Sequence, residues 1–449
     1  MKQPSAVCDL LITGGTFITM DRDFSIHEDG CMAIKNGRIL RIGRLEDFSD
    51  ISAKETLDAS GKLILPGFVN THTHIAMAGF RGAVEDVPNR LADYIFPMER
   101  NLVTPDLVYK ASLFCLCEMA LSGTTTFADM YYFEDEVAKA VKTAGLRALL
   151  GETVLGSQAP DAPEPYGGLR YARDFIQAWR SDSLVHPMIA PHAPYTVDSG
   201  HLLTVRELAE DLDVPIMMHI AETEPEHRAF SASHGSVMRY LDTTGFLCER
   251  LIGVHMIYLD DFDIELAAKS GMSVAHVPVS NAKAGRPICP AWRMQKKGIK
   301  VGLATDGPLS GNLMDLQATV SFFPKLQKMR ENRRDIVSAK DALRTATLGG
   351  AESLGMDKDI GSLEAGKCAD FIVINPDAFN MQPIYDLYAA IVYAMRPDNI
   401  ESVFVQGKKI VANRHMTTLD EAEVLADIKA VAANCKNYIR SITPKNSAV

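Results

Sequence analysis

Between Leu63 and Ala304 eight short apolar runs alternate with stretches of helical periodicity, and no other feature of this chain narrows its fold so far. The runs are Leu63–Asn70, Thr124–Asp129, Arg147–Val154, Val185–Pro191, Ile216–Ile220, Leu251–Val254, Ser273–Val277 and Lys300–Ala304. Helical stretches such as Thr104–Leu121, Glu134–Ala144, Leu169–Arg180, Ser199–Asp211, Glu224–Thr243 and Ile264–Ser270 lie between them. Strands joined by helices pair in parallel, so eight such units predict an α/β fold closed into a TIM-type (β/α)8 barrel.

The 449 residues exceed the roughly 250 that such a barrel needs, which leaves room for a second, smaller unit. From Cys8 to Leu63 the pattern is short strands and turns, with Asn36-Gly37 as a hairpin signal. Short β patterns return in GSLEAGKCADFIVINPD and ESVFVQGKKIVANR, after the helical segment AKDALRTATLGGAESLG. The simplest account is one small β domain made from both ends, residues 1–64 and 367–449, with the barrel of residues 65–366 inserted between them. Leu419–Arg440 reads as a terminal helix, followed by a loose polar tail.

Charge and hydropathy exclude several partners. A net charge of −11 without a basic run argues against a phosphate-backbone ligand. The N-terminal MKQPSAVCDLLITGG lacks the pattern of a secretory leader, and no run reaches the roughly 18 apolar residues of a membrane span. A cytoplasmic enzyme is expected. Eight scattered cysteines carry no CxxC pair, and Cys115 and Cys117 in LFCLCEMAL read as buried small apolar residues.

Polar residues gather at the ends of the predicted strands, the catalytic face of a barrel. His72 and His74 end the first, His192 the fourth, His219 with Glu222 the fifth, His255 the sixth and Asp306 the eighth. Histidines at i and i+2 of a strand project from one side, close enough to share a metal ion. Each histidine alone is more readily a satisfied structural residue, and it is the shared position that points to a site. His72, His74, His219 and Asp306 offer three imidazoles and a carboxylate to one divalent ion, which would leave a position for water. Zinc is the expected ion, and iron and manganese suit the same donors. Asp306 could also act as a base. Glu222, three residues beyond His219, could carry a proton between water and substrate, or could be a solvated loop carboxylate. His255 would orient the attacking water.

The motifs PGFVNTHTH, HIAET, GVH, HVPVSNAKAG, ATDGP and GSLEAGKCADFIV, spread over nearly the whole chain, resemble those of the amidohydrolase superfamily. The resemblance is to its adenosine-deaminase-like and triazine-hydrolase-like branch. It implies a distorted barrel flanked by a β-sandwich built from both termini. Superfamily members with two metals usually bridge them through a carboxylated lysine at the end of the fourth strand, where this chain has His192, so a single metal is implied. By the same resemblance His72, His74, His219 and Asp306 bind it, Glu222 shuttles the proton and His255 assists the water.

Within that branch THTHIAMAGFRGAVED and IFPMERNL are similar to S-adenosylhomocysteine/5′-methylthioadenosine deaminases. This implies that Glu99 accepts hydrogen bonds from a ribose diol and that His192 contacts the nucleoside. A plainer role for Glu99 is that of an acid on a helix in a salt bridge with Arg100 or a neighbour. The chain departs from those deaminases after the third strand, where GETVLGSQAPDAPEPYGGLRYAR carries Arg170 and Arg173 only late, and in Val277 of HVPVSN, where relatives often carry asparagine. The expected reaction is hydrolytic deamination of an adenine-type nucleoside: 5′-methylthioadenosine, S-adenosylhomocysteine, adenosine or 5′-deoxyadenosine. The alternative is deamination of a free purine or pterin base, or hydrolysis of an s-triazine. A metal-binding barrel without catalysis would be expected to lack one of these residues, and all are present. The expected partners are a small-molecule substrate and further copies of the chain, with neither nucleic acid nor membrane.

Overall fold

A computed structural model describes residues 6–443. The extreme N-terminal residues and most of the polar tail expected after Arg440 lie outside the described residues.

Eight parallel strands form one sheet in sequential order: Phe68–Thr73, Thr124–Tyr131, Arg147–Val154, Val185–Pro191, Ile216–Ile220, Leu251–His255, Ser273–His276 and Val301–Leu303. Every residue of the first three is buried, as expected for strands with helices outside and packed side chains within. The barrel does not close by a strand ladder. Between the first and eighth strands the seam is closed by side chains: Thr71 Oγ1 donates to the Leu303 carbonyl at 3.0 Å, and Asn70 exchanges two hydrogen bonds with Thr305 at 2.8 and 3.1 Å. Gly302 allows this approach, since a Cβ there would sit 2.3 Å from Thr71 Cγ2. At the top of the seam the Asp306 amide donates to the His72 carbonyl at 3.2 Å, so closing the barrel also brings two strand-end residues together.

Nine further strands from both ends of the chain form a mixed sheet that wraps around Ile12, Phe17, Ile34, Ile64, Phe371 and Phe404. Asn36-Gly37 joins two of them as a hairpin, as its sequence predicts. The run Leu63–Asn70 is not one strand, contrary to expectation. Leu63–Pro66 pairs with Ala6–Ile18 and with Phe371–Ile374 in the small sheet, and after Gly67 the chain enters the barrel as Phe68–Thr73. A buried ion pair joins the two sheets: Arg147, on the third barrel strand, meets Asp370 at 3.0 Å, with each side chain 3% exposed. Asp370 also accepts from the Gln406 amide at 2.7 Å, and Arg147 donates to the Ser183 carbonyl at 3.0 Å.

The stretches expected to be helical are helices, and two departures stand out. Glu224–Thr243 is broken into Glu224–His234 and Val237–Thr243 by Gly235, which adopts φ of 82°, and by Ser236, which caps the second piece. Leu316–Glu331 is helical despite an internal Pro324. The terminal helix, Glu421–Ile442, packs against Pro105–Leu121 of the barrel. Cys115 and Cys117 are buried in that barrel helix, and burial pushes the Cys117 thiol up to about 12. No described helix is long and apolar enough to cross a membrane.

Candidate active site

The C-terminal ends of the barrel strands converge on three buried imidazoles, His72, His74 and His219, whose donor atoms lie within 4.8 Å of one another. The tautomers of two are set by their backbone partners. His74 Nδ1 lies 2.6 Å from the Met130 carbonyl, and His219 Nδ1 lies 2.9 Å from that of His192. A carbonyl only accepts, so both Nδ1 atoms carry hydrogen and both Nε2 atoms present lone pairs. These two Nε2 atoms face each other at 3.3 Å. His72 Nε2 is buried without a partner, and its Nδ1 lies 3.3 Å from Met217 Sδ.

Burial and the neighbouring imidazoles push His72 far below its usual pKa, and burial chiefly does the same to His219, so both are neutral. Asp306 Oδ1 lies 3.9 Å from His72 Nε2 and 3.7 Å from His74 Nε2. Its positive φ of 66° turns the side chain back so that Oδ1 accepts from the Gly307 amide at 2.7 Å, and Ser280 Oγ donates to Oδ2 at the same distance. Facing lone pairs, a buried nitrogen without a hydrogen-bond partner and a nearby carboxylate form a donor set of the kind that suits a cation. The residues present therefore fit a divalent metal.

Glu222 lies just beyond the fifth strand. It is not the solvated loop carboxylate that the sequence left open: its side chain is 12% exposed and sits between His255 Nε2 at 3.5 Å and Arg286 Nη1 at 2.8 Å, both on Oε1. Burial alone would raise its pKa, but His255 and Arg286, with His219 and His192, hold it well below the usual carboxylate range. The backbone around it is fixed by Glu226, whose carboxylate accepts from the amides of Ala221, Glu222 and Thr223 at 3.2, 2.8 and 3.4 Å. His255 is 1% exposed, and its Nδ1 lies 3.0 Å from Asn281 Oδ1, which leaves Nε2 toward Glu222.

Ser280 and Asn281 lie in the short helix Pro278–Lys283 after the seventh strand and Arg286 just beyond it, so one short segment grips Asp306, His255 and Glu222. The sequence reading names the motif HVPVSNAKAG but assigns none of these three side chains. Glu226 had a legible signal, since Thr223 and Glu226 form a capping box at a helix start.

Glu99 and His192 line the same small chamber of about 60 Å³, with Phe96, Tyr131, Tyr132 and Thr153. Glu99 is 4% exposed and Arg100 is solvent-facing, so the surface pairing with Arg100 is not made. Burial raises the Glu99 carboxyl to about 7, against the phenols of Tyr131 and Tyr132 and the His74 ring. His192 Nδ1 lies 3.0 Å from Thr196 Oγ1, and burial lowers the ring to about 4.

The chamber adjoins a wider cavity of about 1100 Å³, and Phe96, Glu222 and Asp306 line both. Arg170 and Arg173 are exposed on a helix and do not reach it. Its cations are Arg90, Lys283 and Arg286, from other segments; Arg90 and Lys283 pair with Glu85 at 3.3 and 2.7 Å. A cavity of about 500 Å³ lies at the opposite end of the barrel, among Leu149, Pro187, Ile252 and Ser273, away from the strand-end histidines.

On the far side of Tyr132 lie four carboxyls, Asp129, Glu134, Glu152 and Asp161. Glu134 and Glu152 are fully buried, and among the described residues none of their four oxygens has a hydrogen bond of ordinary geometry. Burial and the mutual repulsion of these groups raise Glu134 and Glu152 well above the ordinary carboxyl range, and burial also raises Asp161.

Residues 63–410 match the amidohydrolase family. A 5-methylthioadenosine/S-adenosylhomocysteine deaminase of Syntrophus aciditrophicus is 38% identical over 436 residues, covering 96% of this chain and 98% of the relative. A 5′-deoxyadenosine deaminase of Methanosarcina acetivorans is 33% identical over 431 residues, covering 95% and 98%. Among solved structures, an adenosine deaminase from Xanthomonas campestris with bound zinc superimposes with a TM-score of 0.93 at 32% identity, over 98% of this chain and 100% of that one.

Proposed function

Because the chain belongs to the amidohydrolase family, we propose that its strand-end cluster releases ammonia hydrolytically from the adenine ring of a nucleoside, with 5′-methylthioadenosine, S-adenosylhomocysteine, adenosine and 5′-deoxyadenosine as the candidate substrates. The observation that carries this reading is the placement of a buried carboxylate, Glu222, beside both the imidazole cluster and His255. An aromatic amine leaves only after protonation, so the reaction needs an acid at this place.

His72, His74 and His219, with Asp306 as the fourth donor, would hold one divalent ion, and the zinc of the Xanthomonas relative makes zinc our choice. When bound, such an ion supplies Lewis acidity and lowers the pKa of a coordinated water to about 7. Asp306 accepts a proton from the attacking water. His255, fixed by Asn281, orients that water through Nε2. Glu222, held as a carboxylate, takes the other proton of that water and delivers it to a ring nitrogen as the carbon bearing the amine gains oxygen, and the proton on Asp306 passes to the amine, which departs as ammonia. Water is consumed, the C–N bond breaks, and the ring keeps a carbonyl.

Glu99 would accept hydrogen bonds from the ribose diol, and His192 and Phe96, with ring centroids 5.6 Å apart, would flank the nucleoside. The experiment that tests the reading is ammonia release across the four nucleosides, with guanine, a pterin and a melamine-type triazine in parallel. Turnover confined to bases or triazines would overturn it.

A further inference from the structure

Arg286 is the one charged side chain that touches the proposed proton carrier and has no part in the chemistry above. Its Nη1 donates to Glu222 Oε1 at 2.8 Å, and that carboxylate is its ion-pair partner among the described residues. His255 Nε2 approaches the same oxygen at 3.5 Å. No described residue hydrogen-bonds Oε2, while Glu222 lines both the inner chamber and the mouth, so of its two oxygens Oε2 is the one left for a substrate.

A carboxylate with one pinned and one open oxygen is held in a single rotation about its last bond. The remaining lone pairs then point in a fixed direction. Arg286 is itself fixed: its amide donates to the Asn281 carbonyl at 3.0 Å, on the residue whose side chain orients His255. One short segment therefore sets both neighbours of Oε1.

We propose that Arg286 is a positioning residue for the deamination: it anchors Glu222 through Oε1 so that Oε2 is the oxygen that carries the proton. This rests on Glu222 being the proton carrier. If the proton moved through Oε1 it would have to displace the guanidinium. With Oε2 as the working atom the ion pair survives the catalytic cycle and holds the aim of the side chain from one turnover to the next.

A double-mutant cycle tests the proposal, with 5′-methylthioadenosine and adenosine as substrates. If Arg286 acts through Glu222, then Arg286→Met lowers kcat by about ten- to a hundredfold, the range for loss of a charge-assisted hydrogen bond, with a much smaller change in KM. In the Glu222→Gln background the same substitution changes kcat by less than about threefold, because the residue through which it acts is gone. Since a single N–H makes the contact, Arg286→Lys restores a substantial part of the lost turnover. Arg286→Gln gives a second route should the Met variant not fold, and metal content and melting temperature are recorded for each protein.

Independent, multiplicative losses in the cycle, or wild-type kcat in both Arg286→Met and Arg286→Gln, would overturn the proposal. A loss confined to KM would do so too, since it would make Arg286 a substrate contact. Full turnover by Glu222→Gln, or a wild type silent on both nucleosides, would remove the reading on which the proposal stands. Those two results are distinct from an additive cycle.

Discussion

His74 and His219 point their Nε2 atoms at each other across 3.3 Å while each commits its Nδ1 hydrogen to a backbone carbonyl. Neither ring can turn away without giving up a buried hydrogen bond, so the backbone holds two lone pairs in opposition. A cation between them converts that repulsion into binding free energy.

Metal removal should therefore cost stability as well as activity. We expect a chelator to abolish ammonia release and lower the melting temperature, and one equivalent of zinc per chain to restore both. A site saturated a thousandfold above its dissociation constant stabilises the fold by about 4 kcal/mol. Elemental analysis with calorimetry checks this, and two tightly held ions per chain would refute the single-ion site.

Glu222→Gln should keep the metal and lose turnover. The amide preserves the shape of the side chain but cannot carry a proton, and general acid–base groups typically contribute about 10²–10⁴-fold. Steady-state kinetics on metal-loaded protein decides it, and wild-type kcat would take Glu222 out of the mechanism.

Glu99→Gln should separate nucleosides from bases. Loss of a charge-assisted hydrogen bond, roughly 1.5–3 kcal/mol, lowers kcat/KM for 5′-methylthioadenosine by on the order of tenfold or more. A free base has no ribose to lose, so its rate should hardly move. Equal losses on both would show that Glu99 supports the chamber wall of Tyr131 and Tyr132 and does not grip a diol.

The carboxyls behind Tyr132 predict an inverse pH dependence of stability. Glu134, Glu152 and Asp161 have raised values in the folded protein, against about 4 in an unfolded chain. The stability they contribute is fully present below about pH 4 and is lost as pH rises through the folded values, by about 1.4 kcal/mol per pH unit for each proton retained. Glu152→Gln supplies a neutral side chain with its own N–H donors. Its melting temperature should decline less steeply than that of the wild type as pH rises above about 4. Parallel curves for the two proteins would sink the idea.

What the sequence revealed and what it hid divide along one physical line. Strand-end histidines are legible because a two-residue repeat on a short apolar run leaves His72 and His74 only one shared direction, and the βα rhythm repeats that geometry at His219, His255 and Asp306. Contacts across the barrel leave no such local trace. Arg286 stands 64 residues from Glu222, and no periodicity reports the pairing. The run Leu63–Asn70 misled for a related reason: a buried strand is apolar whichever sheet it joins, so the passage at Gly67 from small sheet to barrel is invisible in composition. Leu316–Glu331 was not read as a helix, with Pro324 standing where a helix would be expected to break.

The strand Leu63–Pro66 lies between Ala6–Ile18 and Phe371–Ile374. On a ribosome that order has a cost in time: at about 5–20 residues per second, Phe371 emerges about 15–60 s after Leu63. Throughout that interval Leu63–Pro66 lacks its partner strand on one side, and Arg147, once made, has no Asp370 to neutralise it. The C-terminal segment of the polypeptide thus acts as the clasp for the N-terminal one, and a chain cut short before Asp370 presents to chaperones both a bare edge and a stranded guanidinium.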